Sequence, residues 1–207
     1  MSKEYGYIGK EVTQAFRSNK GVLTPTDVYD LTIEDKYTNL GQLKLIQTQT
    51  YSDVAAVDFQ SADIVNYNIH FLTFTGYTAS ANHYFAFQLY ENSVLNTGSN
   101  YAESRKMYNG TNTYRTTTFT TISHASGSTD NNREVGGNVL FTNFIDTTKY
   151  VYSHGISYGQ IDGGGKGGET FGASFTQTSY VNGIRLIADS GSNLTGSASL
   201  YGVKFYD

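Results

Sequence analysis

The sequence predicts an all-β protein, a sandwich or barrel of antiparallel strands. Three observations lead there. The 207 residues include 18 Tyr and 12 Phe and are rich in Thr, Ser, Asn and Gly, while only 15% are charged; Tyr, Phe and Thr suit pleated, half-buried surfaces. About ten β-rich runs follow one another at roughly 8–12-residue spacing with no long helix between them. The single proline, Pro25, lies near the N-terminus, so Gly and Asn must supply the turns. A chain of this length fits one all-β domain, since such domains often reach ~200–250 residues.

Composition also excludes function classes. Without Cys there is no disulfide, thiolate metal site or thiol nucleophile. A net charge of −4 and a pI near 5.5 argue against nucleic acid as partner, which calls for a basic face. No apolar run approaches the ~20 residues of a membrane helix. The first residues, Met1 to Tyr7, lack the apolar stretch of a signal peptide. The expectation is a protein made in a cytoplasm and not exported by that route, with no membrane association.

Residues 1–42 read as an arm, and residues 43–207 as the β-domain. In Gly9–Ser18, Val12, Ala15 and Phe16 fall at i, i+3 and i+4, a short amphipathic helix that Asn19 or Gly21 would end. Thr24-Pro25-Thr26-Asp27 reads as N-cap, proline at the first helical position and an early acid, with Val28 and Leu31 sharing a face. Thr32-Ile33-Glu34-Asp35 repeats the capping pattern before Tyr37 and Leu40. Helices this short are marginal alone and must dock, on the β-domain or on another chain.

From Leu43 the chain reads as strands. Leu43–Thr50 and Val54–Phe59 come first. Tyr67–Phe74 is the most apolar run and reads as a central, doubly covered strand. Gly76–Ala81 reads as a turn. His83–Tyr90 follows with Phe85, Phe87 and Leu89 inward and Ala86 and Gln88 outward, making a meander with the run before it. Residues 91–112 are polar, with a candidate strand at Tyr101–Tyr108. Tyr114–Ser123 is a Thr-rich strand and Ala125–Asn132 a loop. Val135–Phe144 and Lys149–Ser153 flank a turn at Asp146-Thr147-Thr148. Gly163–Gly168 reads as a mobile or tightly turned tip, and Thr170–Thr178 leads into the last pair. Val181–Ala188 and Ser197–Tyr206, flanking the turn-rich Asp189–Gly196, read as an antiparallel unit with a long loop.

The candidate motifs are weak as chemistry. Gly163-Gly164-Gly165-Lys166-Gly167-Gly168 resembles a phosphate loop, but Gly167 follows the lysine where Ser or Thr is needed, and Gln160 replaces the first glycine. His70, His83, His124 and His154 show no metal-ligand spacing, and His70 reads as a core imidazole. A glycosidase needs two carboxylates across a cleft. The candidates Asp53, Asp58, Asp63, Glu91, Glu103, Asp130, Glu134, Asp162 and Glu169 are scattered, and no Gly-x-Ser-x-Gly elbow exists. Neither an enzyme nor a cofactor is expected. Asn109-Gly-Thr111 and Asn193-Leu-Thr195 match the glycosylation sequon and read as loops. Tyr77, Tyr84, Tyr90, Tyr101, Tyr108 and Tyr114 gather in the middle third. They serve either as a sugar or protein platform or as core edge with the hydroxyl in water.

The segment Val181-Asn182-Gly183-Ile184-Arg185-Leu186 followed by Thr195-Gly196-Ser197-Ala198-Ser199-Leu200-Tyr201-Gly202-Val203-Lys204 resembles a C-terminal signature of bacteriophage virion structural proteins of marine and cyanophage type. Tyr67–Phe74 and the arm segments Asn19–Thr24 and Asp35–Leu43 are similar to the same family. The resemblance leaves the middle of the chain uncovered. It implies a jelly-roll-like β-sandwich displayed on a virion, and no catalytic residue.

The expectation is therefore a phage structural protein, first a capsid decoration protein, associating as a homotrimer and anchored on capsid or tail proteins. Its arm contacts would be Tyr5, Tyr7, Ile8, Val12, Phe16, Val22, Leu23, Val28, Tyr29 and Leu31. The alternative is a tail-fibre or receptor-binding module contacting host polysaccharide through Asn92–Asn100, Ala125–Asn132 and Gly163–Gly168.

Overall fold

A computed structural model of the chain describes residues 25–33, 43–79, 83–108, 113–128, 134–160, 166–188 and 191–204. The chain divides into two compact units, Met1–Gln42 with Phe205–Asp207, and Leu43–Lys204.

In the first unit, α1 spans Pro25–Ile33, with Pro25 opening it and Asp27 in its first turn. Those choices suit a helix start, where proline loses no hydrogen bond and an acid faces the positive end of the dipole. The helix runs through Thr32 and Ile33; the rest of the second capping pattern, Glu34 to Leu40, lies outside the described residues. Leu31 is buried, whereas Tyr29 and Ile33 are exposed. The Gly9–Ser18 helix and the arm residues Tyr5, Tyr7, Ile8, Val12, Phe16, Val22 and Leu23 lie outside the described residues.

The second unit is an antiparallel β-sandwich. Its strands are β1 (Leu43–Val54), β2 (Ala56–Phe59), β3 (Ile69–Ala79), β4 (His83–Glu91), β5 (Val94–Leu95), β6 (Tyr101–Met107) and β7 (Thr113–Phe119). They continue with β8 (Ile122–Ser128), β9 (Val135–Thr142), β10 (Val151–Gln160), β11 (Lys166–Phe175), β12 (Val181–Ala188) and β13 (Leu194–Val203). One sheet has eight strands in the order β1-β13-β3-β9-β10-β11-β6-β7; the other has the order β2-β12-β4-β5, with β8 also on β4.

The jelly roll is visible in that order. β1, β13, β3 and β9 are neighbours in one sheet, and β2, β12, β4 and β8 in the other. The chain crosses between sheets at β1–β2, β2–β3, β3–β4, β5–β6, β7–β8, β8–β9, β11–β12 and β12–β13, the wrapping of two interlocked Greek keys. β10, β11, β6 and β7 extend the first sheet beyond β9.

This wrapping corrects several sequence expectations. Val181–Ala188 and the final strand do not pair: β12 lies between β2 and β4, and β13 between β1 and β3 in the opposite sheet. Likewise β3 and β4 form no meander. Gly76, at φ +61, sits at a bulge where β3 loses register, and the strand continues to Ala79. A glycine allows the left-handed conformation there. Ala55 breaks Val54–Phe59 between β1 and β2, and Thr120-Thr121 breaks Tyr114–Ser123 between β7 and β8. β8 takes in residues 125–128 of the expected loop, and β11 takes in Lys166, Gly167 and Gly168 of the expected tip. Residues 161–165 lie outside the described ones.

The core lies between the two sheets. Phe74, Phe85, Phe87, Phe141 and Phe144 form a continuous path through it, with successive ring centroids 4.3, 4.9, 5.8 and 5.6 Å apart. Tyr101 is fully buried against Phe175; its hydroxyl accepts from the Leu89 N–H at 2.9 Å and donates to the Asn96 carbonyl at 3.0 Å. Ala86 and Gln88 are buried too, and the Gln88 amide donates to the Thr120 carbonyl.

Candidate functional site

Strand β10, Val-Tyr-Ser-His-Gly-Ile-Ser-Tyr-Gly-Gln, inverts the usual alternation. Val151, Ser153, Gly155 and Ser157 are buried, while Tyr152, His154, Ile156 and Tyr158 are exposed. Space inside is taken by the neighbouring strand: a Cβ on Gly155 would stand 2.6 Å from the Phe171 ring. The large side chains are left on the outer face of the eight-stranded sheet.

The register assembles a site around them. One row across the sheet reads Leu140, His154, Gly172, Ser104, Arg115; its neighbour reads Thr142, Tyr152, Ser174, Ala102. His154 and Arg115 are three strand spacings apart, roughly 14 Å at ~4.8 Å per spacing, with only Gly172 and Ser104 between them. The result is an open groove of about 390 Å³, walled by Tyr152 and His154 on one side and by Arg115, Thr116 and Thr117 on the other. Tyr152, 51% exposed, also borders a second depression of about 370 Å³ with Thr148, Lys149, Tyr150 and Thr178. Lys149 is held there by Asp146 at 2.7 Å.

At the far end of the face, Tyr158 and Tyr108 stand beside Gly168, and the Tyr108 hydroxyl donates to Thr170 Oγ1 at 3.2 Å. The outer face thus carries aromatic side chains at both ends, with Ile156 between them. An aromatic ring beside a groove of hydroxyl groups and a guanidinium suits a ligand with an apolar face and a polar rim.

The sequence-derived candidates divide. Of the clustered tyrosines, Tyr90 and Tyr101 are buried and Tyr108 is exposed; the side chains of Tyr77, Tyr84 and Tyr114 lie outside what is described. Tyr152 and Tyr158, on β10, are site residues outside that cluster. The signal that would have found them is the two-residue period of β10, with Ser and Gly at every intervening position.

The segment 92–100 is tied down. Asn96 donates to Glu91 at 2.8 Å, Gln177 to Asn100 at 2.9 Å and Asn182 to Ser93 at 2.7 Å, and Ser179 donates to Glu91. The side chains of Ser93, Asn96 and Asn100 are engaged within the fold. Asn193, in one sequon, bonds Asp53; Asn109, in the other, lies outside the described residues.

Two of the candidate carboxylates do meet. Glu103 and Glu169 lie 3.8 and 4.0 Å from Arg105, and both acids are buried. Burial pushes the Glu169 carboxyl up to about 7; Glu103 adds to the rise and Arg105 opposes it. Glu103 is among the residues along the groove, but its side chain is buried and Glu169 does not line it, so the two carboxylates do not face each other across a cleft as glycoside hydrolysis requires.

His70 is buried, with Nε2 bonded to the Ile64 carbonyl at 3.1 Å and the ring 4.3 Å from Phe144. Burial lowers its pKa to about 4. His83 and His124 belong to β4 and β8. Among the described residues no three of His, Asp and Glu gather as metal ligands do, and no helix is long and apolar enough to cross a membrane.

No protein-family model, curated protein or solved structure matches the chain.

Proposed function

We propose that the chain is a bacteriophage virion structural protein whose β-sandwich recognises host-surface polysaccharide through the outer face of its eight-stranded sheet. The virion context rests on the resemblance of the last strands and the arm. The observation that carries the recognition role is the groove walled by Tyr152 and His154 on one side and Arg115 on the other, with Gly172 and Ser104 in its floor between His154 and Arg115. A sugar ring lays its C–H face on an aromatic ring while its hydroxyls bond at the rim, and Tyr offers such a face at low entropic cost.

The test is retention of the purified protein on host-cell polysaccharide. Tyr152→Ala, at a half-exposed position, is expected to abolish retention with the far-ultraviolet circular dichroism unchanged. Retention at wild-type strength would sink the assignment.

A second reading is a capsid decoration protein, a homotrimer held on capsid or tail proteins by residues 1–42. The exposed Tyr29 and Ile33 of α1 favour it, because an anchoring partner would bury them. Deleting residues 1–42 should then leave a folded sandwich that no longer joins particles. Full incorporation of the truncated protein would exclude an anchoring arm.

A further inference from the structure

We infer that the groove takes an anionic polysaccharide, a polymer bearing carboxylate or sulfate on its sugar rings. This rests on the saccharide reading above and narrows it. The basis is a segregation of charge that the chain as a whole does not share.

Net charge is −4. Yet strands β9, β10, β11, β6 and β7 contain only two carboxylates, Glu103 and Glu169, and both are buried. No described outward position on these five strands is acidic. Of the described cations on these strands, Arg105 lies inward beside those two acids, while Arg115 and Lys106 are exposed, with Arg115 on the groove wall and Lys106 two residues beyond Ser104 on the same face. His154 stands opposite. The nearest acids at the ends of this surface are engaged or remote. Asp146 is bound to Lys149, and Glu134 precedes β9 at the Tyr158 end, away from the groove.

Arg115 faces His154 across Gly172 and Ser104, with Tyr152 in the adjacent row of the same groove wall, and this sets the ligand's chemistry. The planar guanidinium pairs with a carboxylate or sulfate in a two-pronged hydrogen bond, while Tyr152 takes the ring face of the same or the next sugar. Lys106 continues the positive line along β6, so a repeating anionic polymer meets charge at more than one residue. Two exposed cations beside a floor of Gly172 and Ser104, with the Glu103 side chain buried, are far fewer than a nucleic-acid surface presents, since affinity there scales with the number of phosphates neutralised.

The experiment uses affinity electrophoresis of the full chain through gels containing a polyuronate, a sulfated galactan, a neutral glucan or single-stranded DNA, each at low and high salt. Retardation by the polyuronate or the galactan, but not by the glucan, is expected. The two anionic gels tell carboxylate from sulfate. Arg115→Gln with Lys106→Gln should weaken retention at least about tenfold, and Tyr152→Ala should abolish it.

Equal retention by the neutral glucan, unchanged in the double variant, overturns the anionic class and leaves the saccharide reading standing. Retention by no polysaccharide overturns both. Retention by DNA at equal strength and indifferent to Tyr152→Ala also overturns the inference, because the face would then bind any polyanion. Both cationic positions are exposed, so loss of fold does not confound the double variant; unchanged thermal unfolding is the control.

Discussion

The guanidinium of Arg105 stands 4.0 Å from the carboxylate of Glu169, beyond hydrogen-bonding reach, where the acid is fully buried. Neither oxygen of Glu169 has a hydrogen-bond partner among the described residues. Coulomb attraction alone does not offset the lost hydration of a buried anion, so the folded state favours the protonated acid. The pKa of about 7 lies above the ordinary 4.5. Stability from this group is therefore full below pH 4.5 and is lost as pH rises through 7, by at most about 3 kcal/mol. Glu169→Gln keeps the shape and removes the titration. Urea unfolding should show the variant gaining on the wild type between pH 4.5 and 7, reaching an advantage of about 1–2 kcal/mol at pH 8. A variant less stable at pH 8 than the wild type would mean that Arg105 stabilises the anion.

His70 acts in the opposite direction over an overlapping range. Its folded pKa of about 4 lies below the ordinary 6.5, so the unfolded chain takes up the proton first. Stability from the neutral ring is full above pH 6.5 and falls as pH drops towards 4, again by about 3 kcal/mol at most. In the wild type the two slopes partly cancel. In Glu169→Gln the His70 slope should stand alone, and the ring resonances of His70 should stay flat down to pH 5. A midpoint near 6.5 would contradict the buried, neutral assignment.

How far the sequence could be read depends on which question is asked of it. The all-β class follows from composition, and several strands follow from β-rich runs, Val181–Ala188 to the residue. Pairing does not follow. Neighbours in a sequence pair when a short turn joins them, as β9, β10 and β11 do, but a jelly roll sends many successive strands to the other sheet, so β12 and β13 look like a hairpin and are not one. The site is harder still. Period-two alternation in β10 announces two faces without saying which is inside. Size suggests that Tyr152, Ile156 and Tyr158 should be buried, yet Phe171 fills the interior over Gly155 and turns them out. That packing is a relation between β10 and β11, and no single strand encodes it.

Gly155 is accordingly a position where a methyl group has no room. A Cβ there would press into the Asn138 carbonyl oxygen and stand 2.6 Å from Phe171 Cε1. The carbonyl belongs to β9, fixed on the other side of β10, so neither neighbour yields cheaply. Gly155→Ala should cost about 3 kcal/mol, at the upper end for overpacking, seen as a lower urea midpoint. A variant as stable as the wild type would show that the Phe171 ring and β9 can move apart.

Gly172 stands on the next strand with its open side to solvent, and the contrast isolates the groove from the fold. A Cβ there meets only the Ser153 carbonyl oxygen at 3.9 Å, an ordinary contact. Gly172→Ala should be neutral or stabilising by about 0.5 kcal/mol, because alanine loses less backbone freedom in a strand. Gly172→Leu keeps that backbone gain but raises a side chain from the floor between His154 and Arg115. It removes no charge and no aromatic ring. If the floor carries the ligand, the leucine variant unfolds at the wild-type urea midpoint and loses retention on polysaccharide gels, while the alanine variant keeps both. Undiminished retention by Gly172→Leu would move the binding surface off this groove, towards Tyr158 and Tyr108 at the other end of the same sheet.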